Sequence, residues 1–193
     1  ISSISGAGRP GDWMVKGANN ATLDGFTITG GDSNQPGGAM YNLDVYLLVV
    51  ANCVFSNNKA TNGGGMYNKN TTVTVSYCTF SSNSASYGGG MYNEGSSVVD
   101  VSNCLFSTNS ANNNGGGIYN NDSTVTIDIC TFMDNRSDAG RGGGGVYNYD
   151  CSPKATDSVF KYNYSYTDGG GMLNHLAAPT ITNCLFEGNF CEE

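Results

Sequence analysis

The hexapeptide GGGMYN at 63–68 recurs unchanged at 88–93 and, with isoleucine in place of methionine, at 115–120. Related segments repeat the apolar fourth residue at intervals of 26, 25, 27, 28 and 26 residues, at Met40, Met66, Met91, Ile118, Val146 and Met172. A fixed period of this length is typical of repeat architectures, in which each unit packs on the next. This period therefore decides the fold class.

A second motif keeps the same period. It reads Phe, two variable residues and Asn, and it begins at Phe55, Phe80, Phe106, Phe132, Phe160 and Phe186. Cysteine stands two positions before five of these phenylalanines, and Ser158 takes its place in the remaining unit. Six registered units therefore extend from residue 37 to the C-terminus.

The N-terminal part follows the same pattern less clearly. Sliding it by 27 residues aligns Leu23 with Val50, and Met14 lies 26 residues before Met40. No linker interrupts the pattern. We therefore predict one domain over 1–193, with divergent N-terminal coils over 1–36 and six regular repeats over 37–193.

Each unit has the signature of short strands. In VTVSYCTF (73–80) apolar residues alternate with other residues, the two-residue period of a β-strand. Gly, Asn and Ser separate such runs, and no long helical stripe is present. A unit of 25–28 residues is too small to bury its own apolar face, so it is stable only when stacked. The pattern predicts an all-β parallel β-solenoid of about seven coils, with like residues repeated about every 4.8 Å.

The columns of like residues predict an interior and an exterior. The Cys and Phe columns and two aliphatic columns, which contain Val75 and Val73, are predicted inside. Two asparagine columns, which contain Asn83 and Asn93, are predicted to form hydrogen-bonded ladders. The glycines before the apolar residue are predicted to supply corners with positive φ. The tyrosine column is predicted to stack outward, at Tyr41, Tyr67, Tyr92, Tyr119 and Tyr147.

The combination of GGAM at 37–40, its GGG variants and six FxxN segments resembles the repeats of chlamydial polymorphic outer-membrane proteins. More broadly, it resembles the repeats of the pectate-lyase-like superfamily. The resemblance implies a right-handed parallel β-helix. It leaves function open, because such helices host lyases, hydrolases, adhesins and structural proteins.

Composition narrows the setting. The net charge is −8 with only 12% charged residues, so a nucleic-acid partner is not expected. No apolar run approaches the roughly 20 residues needed to span a bilayer, so no membrane-spanning segment is predicted. Richness in Asn, Ser, Thr and Gly with little Lys or Glu favours an extracellular, cell-surface location.

Cysteine and histidine do not predict a metal site. There is no CxxC spacing and only one histidine, so neither a metal nor a cofactor is expected. Five of the seven cysteines fall in the inward column and are read as small buried apolar residues. Cys151 and Cys191 lie outside it and are candidates for a disulfide, within the chain or between chains.

Acidic residues give the weak case for catalysis. Asp122 and Asp150 share a column, and Asp100, Asp128 and Asp157 occur on three successive coils. No Lys or Arg repeats beside them, and solvated surface acids are the preferred interpretation. We therefore predict no catalytic residues and no enzyme activity.

Sequons for glycosylation occur five times. Asn135 and Asn163 belong to an inward column and are expected to be inaccessible. Asn20, Asn70 and Asn121 are therefore the candidate acceptors.

The tyrosine column has two interpretations, a packing ladder that stiffens the wall and a binding strip for sugars or a partner subunit. The segments ISSISGAG (1–8) and FEGNFCEE (186–193) contain no amphipathic cap. We therefore expect either that the chain is cut from a longer polypeptide or that its open strands pair with copies of the chain, head-to-tail or laterally. The predicted function is an extracellular structural β-solenoid subunit of a microbial filament, sheath or layer. An adhesin or carbohydrate-binding passenger segment is the alternative, and a polysaccharide lyase or hydrolase is less favoured.

Overall fold

The structure, a computed structural model, describes residues 2–6 and 13–192. Within these ranges the chain is a parallel β-solenoid of about seven turns, and no helix is present. The paired strands are parallel throughout and belong to four sheets that run along the axis. The predicted all-β parallel solenoid is confirmed.

We name the sheets after a residue that recurs in each. The Tyr sheet contains Val15–Lys16, Met40–Leu43, Met66–Lys69, Met91–Glu94, Ile118–Asn121, Val146–Tyr149 and Met172–His175. The Val sheet contains Thr22–Asp24, Leu48–Ala51, Thr72–Ser76, Val98–Ser102, Thr124–Asp128, Lys154–Thr156 and Thr180–Thr182. The Phe sheet contains Ser2–Ser5, Phe26–Thr29, Val54–Ser56, Thr79–Ser81, Leu105–Ser107, Thr131–Met133, Val159–Lys161 and Leu185–Glu187. The Ser sheet contains Ser84–Tyr87, Ser110–Asn114, Arg136–Ser137, Tyr164–Ser165 and Phe190–Cys191. Each full turn visits the sheets in this order.

The strand register confirms most of the predicted alignment. Leu23 pairs with Val50, as the 27-residue offset predicts. The predicted equivalence of Met14 and Met40 is wrong by one residue, because Val15 is the partner of Met40. A slip of one residue moves a side chain to the other face of a strand, so Val15 and not Met14 continues the inward column.

The interior is built from the predicted apolar columns. Phe55, Phe80, Phe106, Phe132 and Phe160 are fully buried. Their rings stack along the axis with centroids 4.7–4.9 Å apart. The aliphatic and cysteine columns lie in the same core cluster. Each ring thus contacts its counterparts above and below, so the core is continuous along the rod.

The first asparagine ladder joins consecutive turns beneath the corner after the Phe sheet. Asn109 Nδ2 donates to Asn135 Oδ1 at 2.9 Å and to the Phe80 carbonyl at 2.9 Å. Asn109 Oδ1 accepts from Asn83 Nδ2 at 3.0 Å and from the Asn83 backbone N–H at 3.1 Å. The same bonds recur along the column, so the side chains satisfy turn amides that would otherwise be buried without partners.

The second asparagine ladder lies in the Tyr sheet. Each Nδ2 donates to the Oδ1 of the next turn at 2.7–2.8 Å, from Asn42 through Asn68, Asn93, Asn120 and Asn148 to Asn174. Both predicted ladders are confirmed.

In residues 13–192 every corner between sheets contains at least one residue with positive φ. After the Ser sheet this residue is always glycine, with φ of 59–80° at Gly37, Gly63, Gly88, Gly115, Gly143 and Gly169, as predicted. A Cβ on Gly63 would lie 2.2 Å from the Met66 carbonyl oxygen, so no side chain fits there. The corners after the other three sheets use non-glycine residues in most turns, for example Asn52, Ile129 and Asp122. The sequence analysis missed these three corners, although their many Asn and Asp residues are a signal for this conformation.

Candidate functional site

The tyrosine column forms a stacked ladder on the outer face of the Tyr sheet. Successive rings from Tyr41 to Tyr147 have centroids 4.8–5.6 Å apart and planes inclined by 2–16°. Alternation along each strand places these rings opposite the inward apolar residue of the repeat. The tyrosines form a cluster separate from the main core.

The expected exposure of the rings is wrong. Tyr67, Tyr92, Tyr119 and Tyr147 are only 1–9% exposed, and Tyr41 is half-buried. The connections from the Ser sheet to the Tyr sheet pass beside them and vary in length from turn to turn. Two residues separate Ala85 from Gly88, three separate Ala111 from Gly115, and five separate Ser137 from Gly143. Tyr87 and Tyr149 pack against the ladder and help to cover it, which the periodic pattern alone does not reveal.

Burial and stacking restrict what the ladder offers a ligand. Each ring face in the middle of the ladder contacts the ring above or below, so only ring edges and hydroxyl groups face outward. The idea of flat exposed rings for sugar faces therefore lacks support from the geometry. A binding role for the ladder stays a prediction.

Trp13 extends the ladder by one ring. Its indole stacks on Tyr41 with centroids 4.2 Å apart, and its Nε1 donates to the Pro36 carbonyl at 2.6 Å. The sequence analysis did not include this residue. Its position 28 residues before Tyr41 was the available signal.

The hydroxyl of Tyr67 in the ladder has a charged hydrogen-bond partner, the carboxylate of Glu94. Tyr67 donates to Glu94 Oε1 at 2.5 Å, and Lys69 Nζ lies 2.9 Å from the same oxygen. Burial and the neighbouring Glu94 carboxylate raise the pKa of Tyr67. Burial alone would raise the pKa of Glu94, but the hydrogen bonds from Tyr67 and Lys69 outweigh it and lower that pKa. The carboxylate therefore stays charged and its phenol partner stays neutral.

A cleft opens where the longest connection crosses the ladder. We call it the Tyr cleft; it has a volume of about 370 Å³. Its lining residues are Asn62, Tyr87, Tyr92, Asn113, Asn114, Tyr119, Gly140, Arg141, Tyr147 and Tyr149. They come from several turns, and none of them is a carboxylate.

Specific hydrogen bonds position the loop 138–142 that forms one wall. Asn114 Oδ1 accepts from the backbone N–H groups of Arg141 at 2.6 Å and Gly142 at 3.2 Å. The exposed Arg141 guanidinium contacts the His175 ring through Nη1, at 2.5 Å from Nε2. Burial raises the pKa of Tyr147, and the nearby charge of Arg141 partly opposes the effect. Arg141 and Tyr147 are thus neighbours at the cleft.

The acidic residues do not form a comparable site. Asp122 and Asp150 share a column, as predicted, and both occupy exposed corners with φ of 48°. Asp100 and Asp128 occupy different columns, because Asp128 pairs with Ser102, so they form no common acidic edge. In residues 2–6 and 13–192 no group of three His, Cys, Asp or Glu side chains is close enough to hold a metal ion.

The cysteines are all described, and none is in a disulfide. Cys53, Cys78, Cys104 and Cys130 are buried in the predicted column. Cys151 is also buried, beneath another corner, and burial raises the pKa of its thiol to about 11. Cys191 is exposed and pairs in register with Ser165, whose column faces inward. A disulfide of Cys151 or Cys191 stays a prediction.

The glycosylation candidates differ in exposure. Asn135 and Asn163 are fully buried, which confirms that these sequons are inaccessible. Asn20 is exposed, whereas Asn70 and Asn121 are half-buried. Modification at these three positions stays a prediction.

No helix in the described parts of the chain is long and apolar enough to cross a membrane. The family model of the Chlamydia polymorphic membrane protein repeat matches residues 103–121. This stretch includes one FxxN segment, from Phe106 to Asn109, and the GGGIYN hexapeptide. No curated protein and no solved structure matches the chain. The chain is therefore a β-solenoid repeat protein that resembles the polymorphic membrane protein repeats, as the sequence analysis predicts.

Proposed function

We propose that this chain is a structural segment of a microbial cell-surface protein, and that it assembles with copies of itself into a filament, sheath or layer. The matched repeat belongs to a family of outer-membrane surface proteins, which supports an extracellular location at the family level. A rod of in-register turns held by stacked rings and amide ladders suits a load-bearing role. The finer proposal concerns how such rods join.

The observation that carries it is the inner face of the last described turn. Ile181 and Phe186 are 42% and 44% exposed, although their equivalents one turn earlier, Ala155 and Phe160, are buried. At the other end an apolar opening of about 170 Å³ is lined in part by Val15 and Leu23. We propose that a second copy covers the last turn head-to-tail and removes both apolar surfaces from water.

The magnitudes predict reversible assembly. Burying a large apolar side chain contributes about 1.5–3 kcal/mol. Two such residues therefore contribute about 3–6 kcal/mol, roughly as much as the lower estimates of the association cost, about 4–15 kcal/mol. Strand pairing between copies supplies the remainder, so assembly should depend strongly on concentration.

The test compares variants at the end and along the side of the rod. In light scattering and electron microscopy the wild-type chain should form end-joined rods at high micromolar concentration. The double variant Ile181→Lys, Phe186→Lys should remain monomeric. The control variant Val98→Lys replaces an exposed apolar side chain on the outer wall of the rod and should assemble normally.

Cys191 reports on the same junction. Because its column faces inward, thiol labelling of Cys191 should slow on assembly. A wild-type chain that stays monomeric would contradict the proposal. If only Val98→Lys abolished assembly, the contact would be lateral and not head-to-tail.

A second candidate function is supported by the Tyr cleft. The longest inserted loop forms its wall, and inserted loops on rigid scaffolds often carry binding residues. An adhesin or carbohydrate-binding passenger segment would use this cleft. Its lining contains no pair of carboxylates to act as general acid and base, so the proposal includes no hydrolase step.

A further inference from the structure

The polar side chains of the Tyr cleft can all donate hydrogen bonds. Phenol hydroxyls, side-chain amides and one guanidinium line it, and no carboxylate does. This is unusual in a chain with 16 acidic and 8 basic residues. The cleft is therefore locally complementary to a ligand rich in acceptor oxygens.

Arg141 is the charged group of the cleft, and it differs from the other paired cations. Lys69, Arg136 and Lys161 each contact an Asp or Glu carboxylate. In the described ranges Arg141 contacts no carboxylate within salt-bridge distance, and its partner is the His175 ring. Asn114 holds its backbone, and the His175 ring contacts its guanidinium, so both ends of the residue have partners at the cleft.

The phenols of the cleft remain donors at neutral pH. Burial raises the pKa values of Tyr92, Tyr119 and Tyr147. Their ring faces are occupied by stacking, so recognition must use hydroxyl groups and charge and not ring-to-sugar stacking. This distinguishes the cleft from a flat aromatic platform.

We infer that the Tyr cleft binds a sugar that carries a carboxylate. Arg141 contacts the carboxylate, and the phenols together with the side-chain amides of Asn62 and Asn113 contact sugar hydroxyls. A planar guanidinium suits a carboxylate because it donates two parallel hydrogen bonds. The volume of about 370 Å³ is at the small end of ligand pockets, which fits one or two sugar units. The inference rests on the second candidate function and is independent of head-to-tail assembly.

The experiment measures binding of defined probes to the full chain by calorimetry and saturation-transfer NMR. The probes are glucuronate and a hyaluronan tetrasaccharide, each beside its carboxyl-reduced, neutral counterpart. Binding of both acidic probes indicates a free or terminal sugar acid as ligand, and binding of the tetrasaccharide alone indicates a polymer. The neutral counterparts should bind at least about tenfold more weakly.

Two variants locate the site. Arg141→Gln should weaken binding of the acidic probe by about tenfold or more and leave the weak neutral binding unchanged. Tyr87→Phe removes the hydroxyl of a half-buried phenol of the cleft without opening a cavity and should weaken both. Lys154→Gln removes an exposed charge of the Val sheet, outside the cleft, and should bind like the wild type.

The outcomes separate the two levels of the argument. If acidic and neutral probes bound equally and Arg141→Gln changed neither affinity, sugar binding by the cleft would stand and the inference about the carboxylate would be overturned. No binding of any probe would overturn both the inference and the second candidate function, whatever the result of the assembly test. Circular dichroism of each variant establishes that it is folded.

Discussion

Replacing Asn109 by alanine tests whether the asparagine ladder holds the turns together. The side chain is fully buried and takes part in four hydrogen bonds, two as donor and two as acceptor. The substitution leaves the buried backbone N–H of Asn83 without its acceptor. Buried unsatisfied groups cost about 1–3 kcal/mol each, and a typical hydrogen bond contributes about 1 kcal/mol.

We expect Asn109→Ala to lower the free energy of unfolding by about 3–5 kcal/mol. Urea unfolding followed by circular dichroism should show a midpoint lowered by about 1–2 M. Repeat proteins can unfold in segments, so hydrogen exchange should also show faster exchange of the Asn83 amide than in the wild type.

Asn189→Ala is the matched control. Asn189 occupies the same column in the last described turn, but it is only half-buried, so water can replace its hydrogen bonds. We expect a loss of about 1 kcal/mol or less. The reasoning is refuted if Asn109→Ala lowers stability no more than Asn189→Ala.

Three further predictions concern corners and thiols. Ile129→Gly should raise the free energy of unfolding in urea by about 1 kcal/mol, because the exposed Ile129 has φ of 51°. Asn103 occupies the same corner one turn earlier, and Asn103→Ile should lower the free energy of unfolding. Gly116→Ala should lower the free energy of unfolding by about 3 kcal/mol or more, because the new Cβ would lie 2.5 Å from two carbonyl oxygens. In the control Gly25→Ala the new Cβ would meet no atom within 4 Å, so the loss should be only about 1 kcal/mol, from the positive φ of that position. The pKa of Cys151 is raised to about 11, so its contribution to stability is fully present below its ordinary pKa near 9 and is lost as pH rises through 11. Thermal unfolding of wild type and Cys151→Ala should show a wild-type stability that falls more steeply over that range, and parallel curves would contradict the assignment.

The sequence was sufficient for the ladders because each is a translational repeat. Residues such as Phe106 and Asn109 recur at the solenoid period, and the in-register stacking of identical strands places them on their counterparts in the next turn. The interior position of the Phe column and the burial of Asn135 followed from that period and from the two-residue alternation of strands. The glycine corner was predictable because no other residue recurs there.

The burial of the tyrosines was not predictable in the same way. Alternation correctly placed Tyr119 on the face opposite Ile118, but whether that face is open depends on what passes over it. Part of the cover comes from Tyr87 and Tyr149, and near Tyr147 the loop 138–142, which has no counterpart of equal length in other turns, lies beside the ladder. The path of this loop depends on particular contacts, such as its hydrogen bonds with Asn114, and not on any periodic signal.

By itself, the sequence determined the solenoid, the order of its columns and the two amide ladders, because a repeated pattern has one low-energy way to stack with like residues in register. Only the tertiary structure decided that the tyrosine ladder is covered, that Trp13 extends it and that Arg141 reaches Tyr147 beside a cleft. Those contacts join residues from different turns through loops of unequal length, and loop paths follow from packing in three dimensions and not from residue spacing.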